Sequence, residues 1–323
     1  MPEMGKTAER TLVVILAETR GGHLTFDNFR KNLLDVFNAD LALCVAENAD
    51  EDRENPYYAA AKHIWTYPEP EDWAEAFDEA QRTMGGTEDW RLLAEIRGGW
   101  LGGIKLDPPE GGAAAILLFF RYFLKRQLQE SGLAETYDRF IITRADFMHL
   151  LPHPGPELLP LGYIWIPRGQ DYAGFNDRQI ILSREDLLPA LSLADDIFEA
   201  PSARLAEMRA YNPRHWSIEA CVKFHLDRAG LSRRVRRHPC TMFLVRAEHG
   251  KSSSGIYGEY DAQMGYAVKY PAEYLSYQRC RAILGTARRW SPLRWRLTSW
   301  IFAVRERAGH RLHALKNAFR PSA

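Results

Sequence analysis

The chain reads as an α/β protein with an open mixed sheet flanked by helices and a basic amphipathic helical tail. Three observations carry that reading. The β-branched run Thr11–Ala17 (TLVVILA) is followed by a helical pattern and then by a second apolar run at 40–46 (DLALCVA). That is a βαβ unit, and such units join into parallel sheets. Three more short apolar runs, at 140–142, 163–166 and 180–182, lie inside YDRFIITRADFMH and the YIWIPRGQDYAGFNDRQIILS that follows it. From Arg279 onward arginines alternate with tryptophans and aliphatic residues, which sets the tail apart.

Bulk composition excludes several classes. The 323 residues are 46% hydrophobic and 26% charged, with 42 basic residues against 42 acidic ones. This is globular composition, and zero net charge gives no global field for nucleic acid. The four cysteines (Cys44, Cys221, Cys240, Cys280) are far apart with no CxxC pair, so a reduced, cytoplasmic setting is expected. MPEMGKTAER has no apolar core of a signal peptide. The apolar run 113–120 is interrupted by Arg121, well short of the ~20 residues of a membrane span.

In chain order, a helix is expected to start near Thr25 as N-cap, with Phe26, Phe29, Leu33 and Phe37 on one face. The ETRGGH loop before it matches neither GxGxxG nor GxxxxGK, so no dinucleotide or P-loop site follows. An acidic loop at 48–55 precedes a short strand (HIWTY). Helices are expected at 71–82 and at 87–97, the latter between Thr87 and Gly98. Gly98, Gly99, Gly102, Gly103, Pro108, Pro109, Gly111 and Gly112 make a long flexible loop, either a lid or a plain connector. Helices follow at 113–130, 184–198, 203–210 and 215–229, and a strand pair at 233–246. The expected organisation is a catalytic body at 1–250, a connector at 251–278 and the tail at 279–323.

Chemistry is sought where buried strands end in polar residues, the usual place for ligands on open α/β sheets. Arg144 and Asp146 follow one such strand and, with alternating side chains, share a face. Asp146 is a candidate for Mg²⁺ or Mn²⁺ bridging phosphates, and Arg144 for a bidentate phosphate contact. The alternative is a structural ion pair at the strand end. Asn176, Asp177 and Arg178 enter a later strand from a Gly-containing loop, as turn formers or as site residues. Asp177 and Glu219 are the candidate general bases, and Arg20, after the first strand, is a candidate nucleotide contact. No GxSxG or HExxH occurs, and His149 and His153 lack companions for a zinc site.

The opening strand–loop–helix, then YDRFIITRAD, then the loop ending in NDR, resembles bacterial glycosyltransferases of the GT-A fold, of the surface-polysaccharide or lipopolysaccharide assembly type. The resemblance covers roughly residues 10–250. It implies a Rossmann-type sheet whose first βαβ unit binds the nucleotide of a sugar donor, and sugar transfer to a hydroxyl of a glycan or lipid-linked acceptor. It also implies a metal on the donor diphosphate, held by a DxD motif. Here that place reads Arg144-Ala145-Asp146, so only the last carboxylate is present and metal dependence is open. The tail, with Leu293, Leu297, Trp300, Ile301 and Val304 on one face among arginines, suits an anionic membrane surface. A peripheral enzyme at the inner face of the cell membrane is the resulting expectation. The competing readings are a non-catalytic membrane-associated partner in such an assembly, and a sugar nucleotidyltransferase, whose glycine-rich first loop ETRGGH does not match.

Overall fold

The computed structural model describes residues 9–47, 54–107, 111–211, 215–248 and 258–318, with side chains up to residue 307. Most of the expected acidic loop, Pro108 and Pro109 of the glycine-rich loop, and the end of the tail lie outside the described residues.

Among the described residues before 240, eight short segments are strands. They are β1 (Thr11–Ala17), β2 (Asp40–Glu47), β3 (His63–Pro68), β4 (Arg139–Thr143), β5 (Phe147–Met148), β6 (Ile164–Pro167), β7 (Ile180–Ser183) and β8 (Val235–His238). All but β5 form one seven-stranded sheet, in the order β3-β2-β1-β4-β7-β6-β8. β1 to β4 run parallel, and β7 is antiparallel to both β4 and β6. The mixed sheet expected from the sequence is present. Strand β1 shows why its sequence is apolar throughout. Leu12, Val14 and Leu16 enter the core on one face, Val13 and Ile15 the core on the other. A strand covered by helices on both sides has no polar side to display.

Helix Gly22–Phe29 continues through a π-helical turn, Arg30–Leu34, to Asp35–Phe37. Phe26, Phe29, Leu33 and Phe37 are all buried on one side, as their spacing predicts. The N-cap is Gly21, at φ 77°, and not Thr25. Thr25 lies one turn inside, where its hydroxyl donates to the Ala145 carbonyl at 2.7 Å.

The helix expected at 87–97 is a 3₁₀ turn, Trp90–Glu95, capped by Asp89 rather than Thr87. Trp90, Leu93 and Ile96 recur every three residues and are all buried, a period that matches 3₁₀ geometry better than α. The 184–198 segment is broken into Arg184–Leu191, a 3₁₀ turn Ser192–Ala194, and Asp195–Glu199, with Pro189 inside the first.

The strand pair expected at 233–246 is not a hairpin. β8 runs parallel to β6 at the sheet edge, while β9 (Phe243–Arg246) joins a second sheet with β10 (Tyr260–Asp261) and β11 (Tyr266–Val268), in the order β10-β11-β9-β5. Pro239 to Met242 offers none of the Gly, Asn or Asp residues that tight hairpins need, and the chain crosses between sheets instead.

The described part of the segment expected as a connector, 258–278, carries β10, β11 and the start of a helix. β11 pairs with β9, and helix Pro271–Leu284 packs its Tyr277, Cys280 and Leu284 into the second core. The last helix, Pro292–Ala318, is docked through Trp295 and Phe302, with Trp290 just before it donating to the Pro152 carbonyl at 2.8 Å. Its other side leaves Leu293 78% and Trp300 63% exposed. The apolar face expected of the tail is therefore on the outside of the molecule, beside exposed Arg294, Arg296 and Arg305.

Candidate functional site

A cleft of about 290 Å³ opens at the C-terminal ends of β1 and β4. In the strand order β3-β2-β1-β4 these two parallel neighbours are where the succession of strands turns from one side of β1 to the other, the switch point where open α/β sheets hold ligands. Ala17 and Glu18 come from the end of β1, Arg144 and Asp146 from the end of β4, and Arg246 from the end of β9. Lys269 and Tyr270 follow β11. Asp177 and Arg178 precede β7, Gly112 and Ala113 precede helix Ala114–Glu130, and Glu219 sits in the first turn of helix Ile218–Arg228. Leu16, Leu117, Ile218 and Leu244 supply an apolar wall.

Six of the seven residues singled out in the sequence line this one cleft: Arg20, Arg144, Asp146, Asp177, Arg178 and Glu219. Asn176 does not. Its side chain is used inside the loop, donating to the Gly169 carbonyl at 2.7 Å and accepting from the Arg178 amide at 3.0 Å. That loop is tightly held. Phe175 donates its amide to the Glu219 carbonyl at 3.0 Å, and a Cβ at Gly174 would overlap that same carbonyl. The loop carrying Asp177 and the helix carrying Glu219 are thus locked together.

Asp146 is 3% exposed and both its oxygens are occupied. Arg144 Nε and Nη2 donate to Oδ1 and Oδ2 at 3.0 and 2.9 Å, and Arg246 Nη1 donates to Oδ2 at 2.6 Å. Burial alone would raise the Asp146 pKa, but the charges of Arg144 and Arg246 outweigh it and hold the carboxyl down at about 2. Arg246 was missed in the sequence. It ends a strand in the same way as Arg144, so the strand-end rule that found one would have found the other.

Lys269 was missed because it follows a three-residue strand in what read as a connector. It is 4% exposed, and its ammonium makes no hydrogen bond or ion pair among the described residues beyond a 5.3 Å approach to the Tyr270 ring. Burial, together with the charges of Arg246 and Arg144, pushes its pKa down to about 8. Arg178 is 7% exposed, stacks over Tyr270 at 4.5 Å and donates to Glu273 at 2.7 Å. Glu273 also accepts the Leu244 amide at 2.9 Å, so helix Pro271–Leu284 braces the cleft from behind.

Acidic side chains share the cleft. Asp177 lies 3.9 Å from Arg121, both side chains being buried. Glu219, 6% exposed, has its pKa pushed up to about 7 by burial and then by the charge of Asp177. The cleft therefore combines a cationic cluster, Arg144, Arg246 and Lys269, with a carboxyl, Glu219, whose pKa lies near 7.

The donors do not fit a divalent metal. Mg²⁺ and similar cations take carboxylate oxygens that are free to coordinate, whereas both Asp146 oxygens accept from guanidinium groups. Among the described residues no group of three or more His, Cys, Asp or Glu side chains is arranged to hold a metal ion. Likewise, no described helix is long and apolar enough to cross a membrane.

No family model matches the chain, and no curated protein matches it. Among solved structures, the chain is similar to mouse xyloside xylosyltransferase 1 in its apo form, at 11% identity and a TM-score of 0.39, over 72% of this chain and 86% of that one.

Proposed function

We propose that the chain is a glycosyltransferase that moves a sugar from a nucleotide-diphosphate-sugar donor to an acceptor hydroxyl. The observation that supports this reading best is one cleft that holds both a cationic cluster and a carboxyl of pKa about 7. Sugar transfer breaks the bond between the anomeric carbon and the diphosphate oxygen, and the electron pair leaves on that oxygen. Arg144, Arg246 and Lys269 stabilise the charge that develops there. The acceptor oxygen forms the new bond to the anomeric carbon and releases its proton to the Glu219 carboxylate. Glu219 is the better base of the two candidates, because a base works best with a pKa near the operating pH. Asp177, fixed beside Arg121, keeps that pKa high. The apolar wall and Tyr270 suit a nucleotide base or sugar ring.

The acceptor is a glycan or lipid-linked glycan of surface-polysaccharide or lipopolysaccharide assembly. The basic last helix with its exposed apolar face holds the enzyme at the anionic inner surface of the cell membrane. The reading is tested by screening nucleotide sugars for a rise in melting temperature, since a ligand that binds only the folded state stabilises it. Hits are then assayed for release of the nucleoside diphosphate. A complete panel that neither stabilises the protein nor is turned over would remove the transferase reading.

A further inference from the structure

We infer that the cationic cluster of the cleft binds a diphosphate directly, without a divalent metal, and that Lys269 and Arg246 are its principal ligands alongside Arg144. The inference rests on the transferase reading for the identity of the donor, but its physical basis is separate.

Three features of the cleft lead to it. First, Asp146, the carboxylate among these cations, is already neutralised. Asp146 takes three hydrogen bonds from Arg144 and Arg246, and displacing them to admit a cation would place that cation against two guanidinium groups. Second, the neighbourhood holds more positive charge than it balances. Arg144, Arg246 and Lys269 are three cations against the single carboxylate of Asp146, a formal excess of two. The other nearby cations are already matched, Arg178 by Glu273, Arg121 by Asp177 and Arg20 by Glu18. Glu219 is the remaining carboxyl of the cleft, so the lining keeps an excess of one to two positive charges, the sign that a diphosphate requires.

Third, two cationic side chains there lack a full set of partners. Arg246, 2% exposed, has an Nε with no hydrogen-bond partner. Lys269, which lines the cleft, has an ammonium with no hydrogen-bond or ion-pair partner among the described residues, only the face of Tyr270. Desolvating an ammonium without a counter-charge is strongly unfavourable. A fold that keeps one at the wall of an open cleft is completed by an anion entering that cleft. Phosphate oxygens supply charge and acceptors together, and a guanidinium with a free N–H beside an ammonium matches them.

The test is calorimetric titration of inorganic pyrophosphate and of a nucleoside diphosphate into the full chain, in EDTA and again with Mn²⁺. Both ligands are expected to bind in EDTA, with affinities that change less than about threefold on adding metal. Lys269→Met, which keeps the stem and removes the charge, is expected to weaken pyrophosphate binding at least tenfold. Lys269→Arg is expected to retain binding, which separates lost charge from lost fold. Binding that requires Mn²⁺, or a Lys269→Met protein that titrates like the parent, overturns the inference and leaves the transferase reading standing. Pyrophosphate binding in EDTA by a protein that turns over no nucleotide sugar upholds the anion site and removes the transferase reading instead.

Discussion

Arg246 Nη1 donates to Asp146 Oδ2 at 2.6 Å, joining the end of β9 to the loop between β4 and β5 with both side chains at most 4% exposed. Residues 100 positions apart in sequence thereby tie the large sheet to the small one at the floor of the cleft. Removing one partner of a buried ion pair leaves a buried charge unmatched, at roughly 3 kcal/mol or more. Asp146→Asn is expected to lower stability by about that amount at pH 7, measured by urea unfolding. The pH dependence has a definite sign. The folded-state pKa, about 2, lies below the unfolded value, so the contribution is complete above the unfolded pKa and is lost as pH falls through about 4 toward 2. The gap between parent and variant should shrink over that window. A gap that stays constant from pH 7 to pH 3 contradicts the assignment.

Glu219 works in the opposite direction. Its folded-state pKa of about 7 exceeds the unfolded value of an ordinary Glu, because burial and Asp177 disfavour the charged form. The folded state then holds a proton that the unfolded state gives up, and stability falls as pH rises through about 4.5 to 7. Glu219→Gln removes that penalty. It should match the parent near pH 4 and exceed it by on the order of 1–3 kcal/mol at pH 8. In transfer assays the parent rate should climb through pH 7, and the variant should lose at least about a hundredfold. A variant that is active and no more stable at pH 8 removes Glu219 from the role of base.

Much of the scaffold was readable because its signals are local. β1 and β2 are unbroken β-branched runs, and the Phe26, Phe29, Leu33 and Phe37 spacing needs only one helix to be understood. Arg144, Asp146 and Asp177 could be picked out by strand-end position, though the presence of Arg246 beside Asp146 could not. That contact depends on β9 pairing with the two-residue strand β5, and pairing between such distant short strands leaves no periodicity to read. Lys269 and Glu273 were hidden for the same reason. The tail is a different case: its outward face was legible, whereas the docking of Trp290 and Trp295 was not, since tryptophans beside arginines suit a membrane and a core equally.

Gly174 offers a test of the lock between loop and helix. A methyl group there meets the Glu219 carbonyl, and backbone cannot swing aside as a side chain would. Gly174→Ala is expected to cost about 1–3 kcal/mol of stability, the usual range for overpacking. Because the displaced elements carry Asp177 and Glu219, turnover should fall more than tenfold under conditions where the variant is still fully folded by circular dichroism. Full turnover in a folded variant means that the loop and helix adjust independently.

The last helix can be tested by separating its two faces. Trp295 is 6% exposed and packs against Trp290 with ring centroids 5.4 Å apart, so Trp295→Ala should destabilise the protein by about 3–5 kcal/mol. Leu293 and Trp300, on the outer side, make no such contribution to the core, and Leu293→Glu with Trp300→Glu should leave the melting temperature within a degree or two. On a membrane the same pair matters. Burial of one large apolar side chain contributes about 1.5–3 kcal/mol, and 1.4 kcal/mol is a factor of ten in affinity. Sedimentation with vesicles rich in phosphatidylserine should therefore show the double variant binding at least tenfold more weakly than the parent. Raising the salt should weaken the parent too, since arginine attraction to anionic lipid is screened. If the folded double variant pellets as well as the parent, this face does not hold the protein on lipid.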